Sequence, residues 1–257
     1  MRIDLYLVRE GVASGRDAAK REIANGRVIL DGKTVSKPSE LVDETVAHKI
    51  ELLPTDGPTF ASRGGLKLEH ALRESGLSPK GRVALDIGAS GGGFTDCLLR
   101  HGAISVYALD NGYGQLAEVL RNDPRVTVME HYNARYLKLS DFPVEPTFVT
   151  MDVSFISQTL ILPPLAAILS PGALFVTLIK PQFEVGRQGV GKGGIVKDPA
   201  LRKAACDRVI SSAVSNGFAF LGSCSSPIPG GDGNTEYLAW FTYQGTGKET
   251  DSDHERD

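Results

Sequence analysis

The sequence predicts a doubly wound α/β domain with a mainly parallel sheet, preceded by a small helix-plus-hairpin module of different texture. Three observations carry this. From Arg63 onward, apolar runs of strand length alternate with helical patterns. Near the middle, the run VALDIGASGGGFTDCLL (Val83 to Leu99) passes from a short apolar strand through a glycine-rich turn into a helix, and SVYALD follows as a strand ending at Asp110. The first 60 residues hold instead one helix pattern and one hairpin signal. A chain of 257 residues accommodates two unequal domains.

Taken in order, Ser14 is placed to cap a helix over about Gly15–Asn25, with Asp17 as its capping-box partner. Ala18, Ala19 and Ile23 face inward, and Gly26 stops the helix. VILDGKTV follows, two strand pieces around Asp31-Gly32, a strong two-residue hairpin signal. Arg16, Lys20 and Arg27 can share one face of the helix and its exit, and Lys33 and Lys37 extend from the hairpin. Residues 1–37 hold eight Lys/Arg against five Asp/Glu, so the module carries local positive charge suited to a phosphate backbone. A solvated helix face accounts for the same charges. ELLPTDGPTFAS (51–62) reads as a connector. Strands are expected near 83–87, 105–109, 126–129, 147–151, 173–179, 218–223 and 236–243, and helices near 64–75, 94–101, 114–121, 157–169 and 199–216. No helix separates the last two strands, so the final strand is expected to run antiparallel.

The glycine loop carries the first chemistry. Gly88, Gly91, Gly92 and Gly93 permit a close backbone approach that a Cβ forbids. Asp110 lies 22 positions beyond Gly88, where a carboxylate can accept both hydroxyls of a ribose. A dinucleotide site favours G-x-G-x-x-G, which brings a helix N-terminus to a pyrophosphate. Here the spacing is Asp86-x-Gly88-x-x-Gly91-Gly92-Gly93. Asp86 would repel a pyrophosphate but suits a sulfonium and an ammonium. The loop therefore favours S-adenosylmethionine.

Four ionisable residues stand at strand ends or beside glycine turns. Lys67 opens the first helix of the larger domain, in SRGGLKLEHAL. Asp152 ends the strand FVTMD, Lys180 ends ALFVTLIK, and Glu236 opens the final strand after PGGDGNT. In a doubly wound sheet the carboxyl ends of parallel strands line the ligand crevice. Asp152 and Lys180 are thus expected beside the cofactor loop, where a lysine can act on a hydroxyl proton. Arg63, Lys192 and Lys197 are surface-loop residues placed to meet a phosphate backbone or to close over the site.

Two resemblances sharpen this reading. R-x-D-x-x-L at Arg2–Leu7 and then SGRDAAKREIANGRVILDGKTVSKPSELV closely resemble the S-four-type RNA-binding domain, over roughly residues 1–50. That resemblance implies structured RNA as partner, gripped by shape and phosphates through Arg2, Arg16, Lys20, Arg27, Lys33 and Lys37. SRGGLKLEHAL, LDIGASGGGFTDCLL, TMDVSFIS, LIKPQFEVGR, GGIVKDP and PGGDGNTEYL resemble the FtsJ-like 2'-O-ribose methyltransferases. The whole chain resembles the TlyA (hemolysin A-like) rRNA methyltransferases over residues 1 to about 243. The resemblance implies a Rossmann-like S-adenosylmethionine-dependent methyltransferase sheet and a catalytic tetrad of Lys67, Asp152, Lys180 and Glu236. It implies Asp86, Gly88, Gly92, Phe94 and Asp110 as cofactor contacts, to which Ala89 and Ser90 of the same loop are added. The expected division is an RNA-binding domain and linker over 1–60, a methyltransferase domain over 61–244 and a disordered acidic tail over 245–257. Ribosomal RNA or a ribosomal subunit is the expected partner, and the cytoplasm the expected compartment.

Composition narrows the alternatives. Hydrophobic content of 41% and charged content of 23% are those of an ordinary globular protein. MRIDLYLVREG lacks a signal-peptide core, and no run approaches the roughly 18 apolar residues of a membrane span. These features count against a membrane-lytic protein. Cys97, Cys206 and Cys224 are widely spaced and odd in number, so they read as packed thiols, not a disulfide frame or a zinc site. No metal is expected. An RNA-binding scaffold without turnover would not need the tetrad. A small-molecule O-methyltransferase would leave the N-terminal module without a purpose.

Overall fold

The computed structural model describes residues 1–13, 15–53 and 59–245. Ser14, expected as a helix cap, and the acidic tail from residue 246 lie outside the described residues. The chain opens on α1 (Ile3–Arg9), an element additional to those expected from the sequence. Its signal was present: Ile3, Tyr6 and Leu7 recur at helical spacing and are buried. α2 (Arg16–Ala24) follows, with Ala19 and Ile23 inward. Asp17 meets Lys20 at 2.9 Å. β1 (Val28–Leu30) and β2 (Lys33–Thr34) form the expected hairpin, pairing Leu30 with Lys33. The two loop residues, Asp31 and Gly32, have φ of 49° and 77°, the handedness that matches strand twist. β3 (Ile50–Leu52) pairs antiparallel with β1, so the expected connector begins with a strand. A separate apolar cluster of Ile3, Tyr6, Leu7, Ala19, Ile23, Val28, Val35 and Val42 holds this module together.

The larger part starts with α3 (Gly64–Ser75), ended by Gly76 in the left-handed conformation. Then come β4 (Val83–Ile87), α4 (Gly93–Arg100), β5 (Ser105–Leu109), α5 (Glu118–Arg121), β6 (Val126–Met129), β7 (Phe148–Met151), α6 (Leu162–Ala166), β8 (Leu174–Ile179), α7 (Pro181–Glu184), α8 (Pro199–Ser215), β9 (Phe218–Ser225) and β10 (Tyr237–Tyr243). The helix expected over 114–121 shrinks to α5. That over 157–169 splits into a 3-10 turn at Gln158–Leu160 and α6, because Pro163 and Pro164 fit only a first helical turn. α7 was unforeseen.

The sheet order is β6-β5-β4-β7-β8-β10-β9. β4 to β8 are parallel, and β10 runs antiparallel to both neighbours, as the missing crossover helix predicted. Alternate residues of β4 serve opposite faces. Val83, Leu85 and Ile87 pack towards the face that also buries Phe175, Val209 and Phe241. Ala84 packs with Leu68, Phe94 and Leu98 of α3 and α4. Burial on both faces is why this strand reads as an apolar run. No helix among the described residues is long and apolar enough to cross a membrane.

Candidate functional site

From β4 the chain turns to one side of the sheet through β5 and β6, then returns to the other side through β7 and β8. The switch opens a crevice at the carboxyl edge of β4. Gly88 follows β4, Asp110 follows β5, Asp152 follows β7 and Lys180 follows β8. β10 runs the opposite way, so Glu236 at its start reaches the same edge. Lys67, in the first turn of α3, completes the set.

Lys67, Gly88, Ala89, Ser90, Phe94, Asp152, Lys180 and Glu236 line one cleft of about 230 Å³, together with Ser62, Arg63 and Gly231. Gly88 has a φ of +86°, and a Cβ there would lie 2.2 Å from the Asp152 carbonyl oxygen. The bare backbone is therefore what lets the loop lie against the exit of β7. Gly88 and Ala89 donate their N–H groups to the Leu109 carbonyl. Asp110 clasps the loop as well: Oδ2 accepts the Ser90 N–H at 2.8 Å and Oδ1 that of Gly112 at 2.6 Å. Each oxygen retains a lone pair for a ligand hydroxyl. Gly92 has a φ of +90°, and a Cβ on it would meet Leu120 of α5 at 2.3 Å and Leu116 at 2.9 Å, so its bare backbone is what lets these leucines pack against the loop.

Asp86 is the other loop-side residue expected to face the cofactor. It is fully buried on the α4 side of β4 and does not line the cleft. Thr95 Oγ1 donates to its Oδ2 at 2.6 Å and Thr150 Oγ1 to its Oδ1 at 2.9 Å. Direct pairing with a cofactor cation is closed to it. It ties β4 to β7 and to the helix after the glycine loop, and burial pushes its carboxyl up to about 7.

The four ionisable residues form two lysine–carboxylate pairs. Lys67 Nζ donates to Glu236 Oε2 at 2.5 Å, with both side chains almost wholly buried. Lys180 Nζ lies 2.6 Å from Asp152 Oδ1. The ammonium also donates to Ser154 Oγ at 2.9 Å, and Asp152 Oδ1 is buried against it with no further donor. An acceptor of this kind at a cleft wall is suited to a hydroxyl. Ser154 was not singled out in the sequence, although it stands two residues beyond Asp152. Beside it Phe155 is 92% exposed, has a φ of 64° and packs on Phe183.

The N-terminal basic residues are less free than their spacing suggested. Arg2 and Arg16 both bond the buried Asp4. Burial opposes its charge, but the two guanidiniums hold it below the usual carboxylate range. Lys20 pairs with Asp17, and Arg27 with Glu22 at 2.6 Å. Among the described residues Lys33 and Lys37 are exposed and form no ion pair. The end of α2 reaches the cleft: Ala24 lines it and Asn25 Nδ2 donates to the Phe60 carbonyl.

Comparison with known proteins gives a consistent picture. Residues 60–243 match the family described as FtsJ-like methyltransferase, and residues 1–46 match the S4 domain. The chain is 44% identical to the 16S/23S rRNA (cytidine-2'-O)-methyltransferase TlyA of Mycobacterium tuberculosis H37Rv, over 95% of this chain and 90% of that one. It is 44% identical to Hemolysin A of Brachyspira hyodysenteriae, over 94% and 99% of the two chains. A solved structure of a hemolysin-named protein from Streptococcus thermophilus superimposes with a TM-score of 0.75 at 43% identity, covering 95% of this chain and 88% of that one.

Proposed function

We propose, for a chain that belongs to the FtsJ-like methyltransferase family and carries an S4 domain ahead of it, the transfer of a methyl group from S-adenosylmethionine to a ribose 2'-hydroxyl of ribosomal RNA. The observation that carries this reading is the convergence of two lysine–carboxylate pairs on one cleft beneath the glycine loop. We carry over to this chain the acceptor in the mycobacterial relative's name, cytidine in 16S and 23S rRNA. Work on ribosomal RNA assigns the enzyme to the cytoplasm.

The residues fit the cofactor. Gly88 lets the loop lie against the exit of β7 and so sets its backbone along the cleft, and each Asp110 oxygen keeps a lone pair for a ribose hydroxyl. When bound, S-adenosylmethionine supplies a methyl group activated by a sulfonium. Gly88, Ala89, Ser90 and Asp110 are assigned to hold it. Asp152 Oδ1 accepts a hydrogen bond from the 2'-hydroxyl and keeps Lys180 beside it. As a neutral amine Lys180 Nζ takes the hydroxyl proton and becomes the ammonium; as an ammonium from the start it stabilises the alkoxide as it forms. Lys67 and Glu236 hold their charges fixed at the back of the cleft and orient the ribose. Phe155, next in the chain to the Ser154 that bonds Lys180, offers an open aromatic face on which an unpaired base can stack.

The test is incubation with labelled methyl donor and separated ribosomal subunits, followed by mapping of ribose methylation. Parent protein should label one or both subunits at a ribose. Lys180→Ala should lower the single-turnover rate by about 100-fold or more while leaving RNA binding in place. A Lys180→Ala protein that methylates as well as the parent overturns the assignment.

A further inference from the structure

We propose that Glu69, Cys97 and His101 form a binding site for one zinc-like transition-metal ion, separate from the methyl-transfer cleft. The carboxylate of Glu69, the Sγ of Cys97 and the ring of His101 each present a ligand atom within 4.8 Å of the other two. They come from two elements. Glu69 lies on α3, Cys97 on α4, and His101 is the residue that ends α4. Cys97 and His101 are four apart, the spacing that stacks two side chains on one helix face. His101 Nε2 stands 2.5 Å from Glu69 Oε2, and Cys97 Sγ points at the same oxygen at 3.8 Å.

The donor set is a thiol, an imidazole and a carboxylate, the ligand types of tetrahedral zinc. Metal–ligand bonds of about 2.0–2.3 Å place tetrahedral ligand atoms roughly 3.2–3.7 Å apart. The sulfur-to-carboxylate separation already has that size. The imidazole and carboxylate need to part by less than an ångström. Cys97 is wholly buried, whereas the side chains of Glu69 and His101 are 35% and 36% exposed. An ion can therefore enter from solvent between them, reach the sulfur behind and keep a water as its fourth ligand. Burial and the adjacent Glu69 carboxylate keep the free thiol protonated. Coordination forms the metal–sulfur bond and releases that proton to water.

The site is distinct from the cleft. Glu69 lies two residues beyond Lys67 on α3, and residues two apart on a helix face opposite ways. An ion here would brace α3 against α4, the helices that carry Lys67 and follow the glycine loop, without touching the reacting groups. This revises the expectation that the cysteines serve no metal.

The experiment strips the full-length protein with a chelator, dialyses it and titrates it with Co2+ alone, then with competing Zn2+. Parent protein should bind one Co2+ with a thiolate-to-cobalt charge-transfer band in the near ultraviolet, which Zn2+ abolishes. Cys97→Ala should lose the band, and Cys206→Ala and Cys224→Ala should keep it. His101→Gln, at a partly exposed position that leaves the core intact, should weaken Co2+ binding by about tenfold or more. The proposal fails if the parent gives no such band, if the band survives in Cys97→Ala, or if His101→Gln binds Co2+ as tightly as the parent.

Discussion

Two ion pairs in one cleft carry different structural burdens, and burial decides which. Lys67 and Glu236 are almost closed to solvent, so removing one partner leaves a charge without compensation. Lys67→Met should destabilise the fold by about 3–5 kcal/mol, whereas replacing both partners with apolar residues of similar size should restore most of that stability. Thermal unfolding of Lys67→Met and of Lys67→Met/Glu236→Leu checks this. The double variant should unfold near the parent yet remain inactive. A double variant as unstable as the single one would refute the pairing argument. Asp86 makes a pH prediction. Its carboxyl titrates at about 7 when folded, against 3.8 ordinarily. Between these values the folded state holds a proton that the unfolded chain has lost. Stability from this group is therefore full below pH 3.8 and is lost as pH rises to about 7, by on the order of 4 kcal/mol. Asp86→Asn should flatten the fall when unfolding is measured from pH 4 to 8, and a variant that keeps the parent's slope contradicts this. That Lys67, Asp152, Lys180 and Glu236 meet in one cleft was legible from their places at strand ends and at the start of a helix. What Asp86 does was not, because only the fold shows that Thr95 and Thr150 occupy both its oxygens.

Elements were read well where a single periodicity governs them. The inner strands β4, β7 and β8 are buried on both faces, and their places followed from their apolar runs. α1 and β3 escaped because each is short, and their burial depends on the module's own small cluster. The Glu69–Cys97–His101 group illustrates the same limit. The four-residue spacing of Cys97 and His101 is visible in the chain, but Glu69 joins them only because α3 packs on α4. The glycine loop shows how an element positions chemistry. Gly88→Ala places a Cβ 2.2 Å from the Asp152 carbonyl, whereas Gly91→Ala meets Ser62 Cβ at 3.6 Å, an ordinary contact. Gly88→Ala should cost about 1–3 kcal/mol of stability and shift Asp152 enough to lower kcat/KM by roughly tenfold or more. Gly91→Ala should resemble the parent in both measurements. Equal behaviour of the two variants would detach the loop's shape from the position of Asp152.

At the scale of the whole molecule, the arrangement joins a module with exposed cations to a sheet with a charged cleft, the end of α2 bordering that cleft. Arg2 and Arg16 are engaged with Asp4, Lys20 with Asp17 and Arg27 with Glu22. These pairs shape the module, and they lower the net charge that it presents. Lys33 and Lys37, by contrast, are exposed and bound to no carboxylate among the described residues. If the module grips RNA through phosphates, those two lysines should supply a disproportionate share of the salt-dependent affinity. Each phosphate contact removed lowers the slope of log affinity against log salt by about one. Lys33→Gln/Lys37→Gln should therefore reduce the slope by about two for ribosomal RNA and raise KM for the RNA substrate. Affinity for S-adenosylmethionine and kcat at saturating RNA should stay unchanged, because neither lysine approaches the cleft. Filter-binding titrations across a salt series, paired with methylation kinetics, separate the effects. An unchanged slope would move the RNA grip to the arginines or to the large domain. A fall in kcat at saturating RNA would instead mean that the module shapes the active cleft as well as recruiting its substrate.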